Sequence, residues 1–289
     1  MSWIAEFEDE LRRRGVRAAT RERLAAEFTD HIACEKEVRI ELTRLGAARE
    51  IAGQYAEELA SHETRHAALG AFAALALAAI GLVVSQAALG RIGYPGFSHG
   101  ASTPLALIAI AAMVIGAQVA LVTGTLAAWR ALHRRREPSL PAAEIALIQR
   151  RTKIALAAGL TTTAAMLLYV VDFTSVLPAW WLALSGALAA VASGALVAAW
   201  RANAHSSATV SVAQGPAGDV FDDLPPLRAL RAHPLGFVTL ATLAVGGAMT
   251  LVVWHAEHSL IEGLERGGFE ALALAACFAL FGRAIGARR

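Results

Sequence analysis

Six stretches of predominantly apolar residues dominate this chain, and each approaches the length of about 20 residues that a helix needs to cross a bilayer. They occupy residues 67–89, 105–129, 154–171, 179–200, 235–254 and 269–285. The 289 residues are 56% hydrophobic and 17% charged, whereas soluble domains are about 45–50% apolar and about 25% charged. The sequence therefore predicts an all-α, polytopic membrane protein with a six-helix transmembrane bundle in residues 67–289, arranged as three helical hairpins.

The distribution of basic residues predicts the orientation of this bundle. If the N-terminus is cytoplasmic, all but two of the 26 Lys and Arg residues lie in segments on the cytoplasmic side, the exceptions being Arg91 and Arg266. Because cytoplasmic loops carry an excess of Lys and Arg, we expect both termini in the cytoplasm and the protein in the inner cell membrane. Residues 202–234, rich in Ala, Ser, Gly and Pro, are expected to form a cytoplasmic linker.

Residues 1–66 differ in composition from the rest, since they contain eleven basic and fourteen acidic residues and carry a local charge of −3. Their apolar residues recur at helical spacing in three segments separated by Gly15 and Gly46, which can end helices. We expect these segments to pack as a cytoplasmic three-helix head. A core of this size is marginal, so apolar surface is expected to be left for a cytoplasmic protein partner. The residues expected to form that surface are Leu24, Phe28, Leu42, Leu45 and Tyr55.

Three short motifs in this segment carry a family resemblance. They are TDHI at 29–32, LGAAREIA at 45–52 and YAEEL at 55–59. Over about residues 5–62 the chain resembles the HAAS-type signalling domain, and it is similar to the related prefix domain found ahead of some bacterial permeases. The resemblance implies a bacterial membrane protein associated with a PadR-like transcription regulator, without an established catalytic role.

The run His62-Glu63-Thr64-Arg65-His66 matches the HExxH pattern. On a helix this spacing places His62 and His66 one turn apart, where they can bind Zn²⁺ with Glu63 as a general base. Arg65 places a cation inside the motif, and no third-ligand motif follows. The alternative, which we favour, is that these polar residues finish a helix at the membrane edge.

A second cluster of possible metal ligands follows the fifth span. His255, His258 and Glu262 are spaced three and four apart, so one helical face could present all three to a metal ion or to protons. The alternative, again favoured, is that polar residues end a span at the lipid headgroups. We therefore expect neither a metal site nor a cofactor.

Small residues recur every four positions on two spans and favour close helix packing. They are Gly116, Ala120 and Gly124 on the second span, and Gly186, Ala190 and Gly194 on the fourth. Their contacts are expected either within one chain or between the copies of a homo-oligomer. Gln118, near the centre of the second span, is expected to form an interhelical hydrogen bond, whereas Asp172 and Glu270 are expected at the outer ends of spans.

The sequence favours a membrane-embedded signalling or regulatory adaptor whose head binds a cytoplasmic protein, with a PadR-like regulator as one possible partner. An alternative is a permease-like subunit of an ATP-driven transporter, whose partner is an ATPase. A third is a zinc-dependent membrane protease that uses His62 and His66. The chain contains no P-loop, GxSxG or CxxC motif, and we expect no direct contact with nucleic acid.

Overall fold

The structure, a computed structural model, describes residues 3–34, 45–88, 104–172, 178–207 and 234–285. Within these ranges the chain forms eight α-helices and no strand, which confirms the all-α prediction. The helices are α1 (Trp3–Arg13), α2 (Ala18–Cys34), α3 (Ala48–Ala88), α4 (Pro104–His133), α5 (Ala142–Asp172), α6 (Ala179–Ser207), α7 (Pro234–Glu257) and α8 (Leu260–Ile285).

Among the described residues, four helices are long and apolar enough to cross a membrane, which indicates a membrane protein. The qualifying segments of the described chain lie in α3, α4, α6 and α7, and are Ala48–Gly81, Ile108–His133, Ala179–Ala204 and Val238–His255. The other two predicted spans, 154–171 and 269–285, lie within α5 and α8. Arg151 and Lys153 stand just before the first of these two segments, and Glu270 stands near the start of the second.

The N-terminal helices share one core with the first turns of α3. Its buried members are Phe7, Leu11, Val16, Leu24, Ala48, Ala52 and Ala56. Aromatic rings cover one side of this core: Trp3 stacks on Phe7 at 5.3 Å, and Phe28 packs against Phe7 at 4.9 Å and against Tyr55 at 5.6 Å between ring centroids. Aromatic pairs at these separations stabilise a small core beyond the area that they bury.

The turn between α1 and α2 explains how these two helices fold back on each other. Gly15 has a φ of +77°, a conformation that is costly for residues with a Cβ atom. Its N–H donates to the carbonyl oxygen of Arg12, and the N–H of Val16 donates to that of Leu11, both at 3.0 Å. This pair of bonds is the Schellman motif, and its flanking residues Val16 and Leu11 are both buried in the core.

Of the three predicted hairpins, the structure confirms the pair α7–α8, whereas the other long helices pair differently. The most extensive contacts join α4 to α5, α3 to α6, and α7 to α8, so the partner of α3 is distant in sequence. The pair α7–α8 contacts the rest of the bundle chiefly through α8 and α4. In this arrangement α3 to α6 form one packed unit, and α3 also carries the N-terminal core.

Candidate functional site

The junction between the N-terminal core and the long helices is built on one face of α3. Ser61 Oγ accepts a hydrogen bond from the backbone N–H of Leu140 at 2.8 Å. One turn later, Arg65 Nη2 donates to the backbone carbonyl of Glu137 at 2.6 Å. The two contacts hold the α4–α5 connection, residues 134–141, against the middle of α3.

The same layer contains polar side chains that are removed from solvent. Thr64 is 1% exposed, and its Oγ1 accepts a hydrogen bond from Gln149 Nε2 at 3.1 Å. Arg130 near the end of α4 and Glu144 in the first turn of α5 form two hydrogen bonds, one of 2.7 Å between Nη2 and Oε1 and a shorter one through Nε. Their side chains are only 6% and 12% exposed, so this bidentate ion pair fixes the α4–α5 turn in a nearly dry environment.

His62, Glu63 and His66 of the HExxH run lie on the outer face of α3, whereas Thr64 and Arg65 between them belong to this layer. His62 and His66 are both exposed, and their Nε2 atoms are 3.1 Å apart. A hydrogen bond forms at that distance when one ring donates and the other accepts. The carboxylate of Glu63 lies 3.9 Å from the guanidinium of Arg17, a weak and partly exposed ion pair.

The distance between the two imidazoles is close to the roughly 3.3 Å that separates two ligands of a tetrahedral zinc ion. His62 and His66 could therefore provide two ligands. Within the described ranges no group of three or more His, Cys, Asp and Glu side chains is placed to hold a metal ion. Further ligands for this pair would have to come from outside the described residues.

The second histidine cluster is divided by the end of a helix. Helix α7 ends at Glu257 and α8 begins at Leu260, while His258 has a φ of +55° in the turn between them. His255, His258 and Glu262 are all exposed, but they do not share one helix as their spacing suggested. The predicted spans left residues 255–268 between the last two helices, whereas α8 already begins at Leu260.

The small residues of α4 lie where neighbouring helices approach most closely. A Cβ atom at Gly116 would lie 2.5 Å from Thr162 Oγ1 on α5, and one at Gly124 would lie 2.8 Å from Leu75 Cδ1 on α3. Ala120, between them, is 5% exposed. The repeat on α4 therefore packs against two helices of the same chain.

The corresponding repeat on α6 has a different environment. A Cβ atom at Gly186 or Gly194 would meet nothing within 4 Å, and Ala190 is exposed. This face of α6 points away from the described residues of the chain.

The sequence analysis did not predict a close approach of the backbones of α7 and α8. A Cβ atom at Gly246 would lie 2.8 Å from the carbonyl oxygen of Gly267, and one at Gly263 would lie 2.7 Å from that of Thr250. The spacing of Gly263 and Gly267 is that of a GxxxG motif, which allows two helix backbones to approach closely. This GxxxG spacing was the sequence signal that could have predicted the contact.

Gln118 joins α4 to α8 through a polar contact. Its Nε2 donates to Glu270 Oε2 at 2.6 Å. We expected Glu270 at the outer end of a span, but α8 begins at Leu260, so the carboxylate lies about ten residues, or roughly 15 Å, along the helix. Ionisable side chains between apolar helices are costly and usually functional.

The residues expected to bind a partner have different environments. Leu24 is buried in the N-terminal core, Phe28 is partly buried against it, and Leu45 is of intermediate exposure. Tyr55 is 41% exposed. Leu42 lies outside the described residues. Of the four that are described, Tyr55 offers the largest exposed fraction for a contact.

These features define a class: helical membrane proteins in which one long helix belongs both to an N-terminal core and to the apolar bundle. No family model, no curated protein and no solved structure matches this chain. Its function is therefore argued from its own geometry.

Proposed function

We propose that this chain is a membrane-embedded signalling or regulatory adaptor, similar to HAAS-type proteins, and that its N-terminal residues form a cytoplasmic three-helix head that binds a protein partner. The proposed partner is a PadR-like transcription regulator, and the chain itself is not an enzyme. The proposal includes six membrane spans, an inner-membrane location and cytoplasmic termini. The distribution of Lys and Arg along the sequence supports this orientation.

The continuity of α3 is the observation that carries the proposal. Ala52 and Ala56 lie in the N-terminal core, while Ala71 and Ala74 of the same helix lie in a core shared with α5 and α6. A helix of 41 residues is about 60 Å long. A tilt or rotation of α3 in the bundle would therefore displace the head directly, which gives a physical route from the membrane to a cytoplasmic partner.

The junction contacts support the same route. Ser61 and Arg65 each bond to one point of the α4–α5 connection, and Thr64 bonds to α5. A movement of α3 relative to α4 and α5 would break these bonds or exchange them for others. Elements with two discrete hydrogen-bonding arrangements are the kind that can transmit a conformational change.

We place the partner-binding surface around Tyr55. This side chain lies at the edge of the aromatic cluster, where its ring meets that of Phe28, and tyrosine is enriched at the energetic centres of interfaces. The N-terminal 66 residues carry a net charge of −3. An acidic surface complements a basic protein, and proteins that bind DNA are basic.

The test is affinity purification of the full-length protein in mild detergent, followed by mass spectrometry of the proteins that co-purify. Three versions are compared: wild type, Tyr55→Ala, and the matched control Gln54→Ala, which changes the adjacent exposed residue. Amide hydrogen exchange at Leu11 reports whether the head keeps its fold in each version.

A DNA-binding regulator recovered with wild type and Gln54→Ala, and lost with Tyr55→Ala, is the expected result. Recovery of that regulator with all three versions would place its contact elsewhere and contradict the surface that we propose. Recovery of no regulator with any version would contradict the adaptor function.

A permease-like subunit of an ATP-driven transporter is the second candidate, and the Gln118–Glu270 contact favours it. A carboxylate held by a glutamine between apolar helices is a feature of sites that bind substrates or ions in membranes. The same purification distinguishes this function, because an ATPase would then be recovered equally with Tyr55→Ala and wild type.

A further inference from the structure

A cavity of about 390 Å³ lies between α3, α4, α5 and α6. Its volume is within the range of about 300–1,000 Å³ that is usual for ligand sites. The residues of α3 that line it begin at Phe72, beyond the junction layer that contains Ser61 to Arg65. It is therefore separated from the N-terminal core by that layer, and the helices around it include three of the four that are long and apolar enough to cross a membrane.

The cavity has an open side and a closed side. Phe72 and Ile80 on α3 and Leu121 on α4 line it and are 38%, 60% and 63% exposed. The lining residues of α5 and α6 are buried or partly buried, including Gly159 and Ala189. The cavity is consequently open to the surroundings beside α3 and α4, and α5 and α6 form its back wall.

The chemistry of the lining favours an apolar ligand. Thr162, Thr163 and Ser185 supply its hydroxyl groups. The two threonines donate to the carbonyl oxygens of residues 158 and 159 on their own helix, and Ser185 has a partner as well. The other lining residues are alanine, glycine, leucine, isoleucine, phenylalanine and methionine. Water in a cavity needs two to four polar partners, so this lining holds water poorly.

We propose that this cavity binds one acyl chain of a bilayer phospholipid. The surrounding medium at apolar, membrane-crossing helices is hydrocarbon, and a chain can enter from it through the open side without leaving an apolar environment. Met113 and Met166 line the cavity, and their flexible thioethers adapt to a chain of variable shape. The site goes beyond the proposed adaptor function and depends only on the location of α3 to α6 in a membrane.

The proposal is tested with the full-length protein in vesicles of phosphatidylethanolamine and phosphatidylglycerol. The vesicles contain a trace of phosphatidylcholine that carries a diazirine near the end of one acyl chain. After illumination, mass spectrometry locates the labelled peptides. Labelling of the buried residues of the back wall, Gly159, Thr163, Ser185, Ala189 and Ala192, is the expected result. Labelling of Leu240 and Leu243, which are exposed on α7, is the internal reference.

Two variants separate chain binding from ordinary contact with lipid. Ala189→Leu fills the cavity from the back wall and is expected to lose the back-wall label while the α7 label persists. Ala187→Leu places the same side chain on an exposed position of α6 outside the cavity and is expected to label as wild type does. If Ala189→Leu does not fold, Ala117→Leu fills the cavity from α4 and replaces it.

Other results would overturn the proposal. An unlabelled back wall in the wild type would show that no acyl chain enters, and equal labelling of a folded filled variant would show that the label does not report the cavity. Back-wall labelling by a water-soluble diazirine would mean that water fills it.

Discussion

The buried ion pair of Arg130 and Glu144 allows a quantitative test of the junction. Removing one partner of a buried pair costs about 3–5 kcal/mol, because the other charge is left without compensation. Glu144→Leu is expected to be the more destabilising substitution, because it leaves the guanidinium of Arg130, which does not lose its proton in a protein. Arg130→Met is expected to cost less, because a carboxyl group can take up a proton and become neutral.

The assay is thermal unfolding of the full-length protein in detergent, followed by tryptophan fluorescence at one fixed heating rate. At about 2–4 °C per kcal/mol for a large domain, a loss of 3–5 kcal/mol corresponds to a decrease of roughly 6–20 °C in Tm. The double variant Arg130→Met with Glu144→Leu is expected to recover most of this loss, because an apolar pair of similar volume replaces a buried ion pair at little cost.

The chain offers a matched control nearby. Glu137 forms an ion pair with Arg134 at 2.7 Å on the same connection, but these side chains are 41% and 37% exposed. Exposed pairs contribute about 0–1 kcal/mol, so Glu137→Leu is expected to change Tm only slightly. If Glu144→Leu is no more destabilising than Glu137→Leu, the argument that burial makes this pair important is refuted.

Three other outcomes are expected. Gly267→Leu should destabilise the α7–α8 pair by about 1–3 kcal/mol in the same assay, as overpacking does. The control Gly247→Leu should not, since a Cβ atom at Gly247 would meet nothing within 4 Å. Equal effects of the two substitutions would contradict the packing argument. Gln118→Leu removes the hydrogen bond between α4 and α8 and should increase amide hydrogen exchange in α8. The hydrogen bond from Arg14 lowers the pKa of Glu10 below 4.5. The stability that the ionised Glu10 contributes is therefore present above that pH and is lost as the pH falls through the lowered pKa. In Glu10→Gln, hydrogen exchange in α1 should lose this acid dependence.

Local signals in the sequence anticipated a good part of this fold. Apolar stretches of about 20 residues predict long helices because an apolar helix buries its own backbone polar groups. Gly15 predicts the end of α1 because a positive φ is easily adopted only by glycine. Each of these inferences depends on residues within about one or two helical turns.

Contacts between distant segments could not be read in the same way. The position of Gln118 suggested an interhelical hydrogen bond, but nothing near it in sequence identifies Glu270 as the partner. The last predicted span began at residue 269, too late for α8, because Glu262, Glu265 and Arg266 make the first turns of this helix resemble a polar connection. Charged residues in a helix that packs through GxxxG spacing lower its hydropathy without ending it.

The junction contacts also suggest which part of the molecule moves. The α4–α5 turn is fixed by a buried, bidentate ion pair. Helix α3 is joined to this turn and to α5 by single hydrogen bonds, which Ser61 and Thr64 accept and Arg65 donates, and by the apolar contacts of Ala60 and Ala68. The bonds to Ser61 and Thr64 are neutral and contribute about 0.5–1.5 kcal/mol each. The bond from Arg65 and the two bonds of the Arg130–Glu144 pair are charge-assisted and contribute roughly twice as much per bond, so the ion pair provides two strong bonds where α3 provides one. The α4–α5 turn should therefore persist while α3 shifts along it. Because α3 carries the N-terminal core, that shift would move the proposed partner-binding surface around Tyr55.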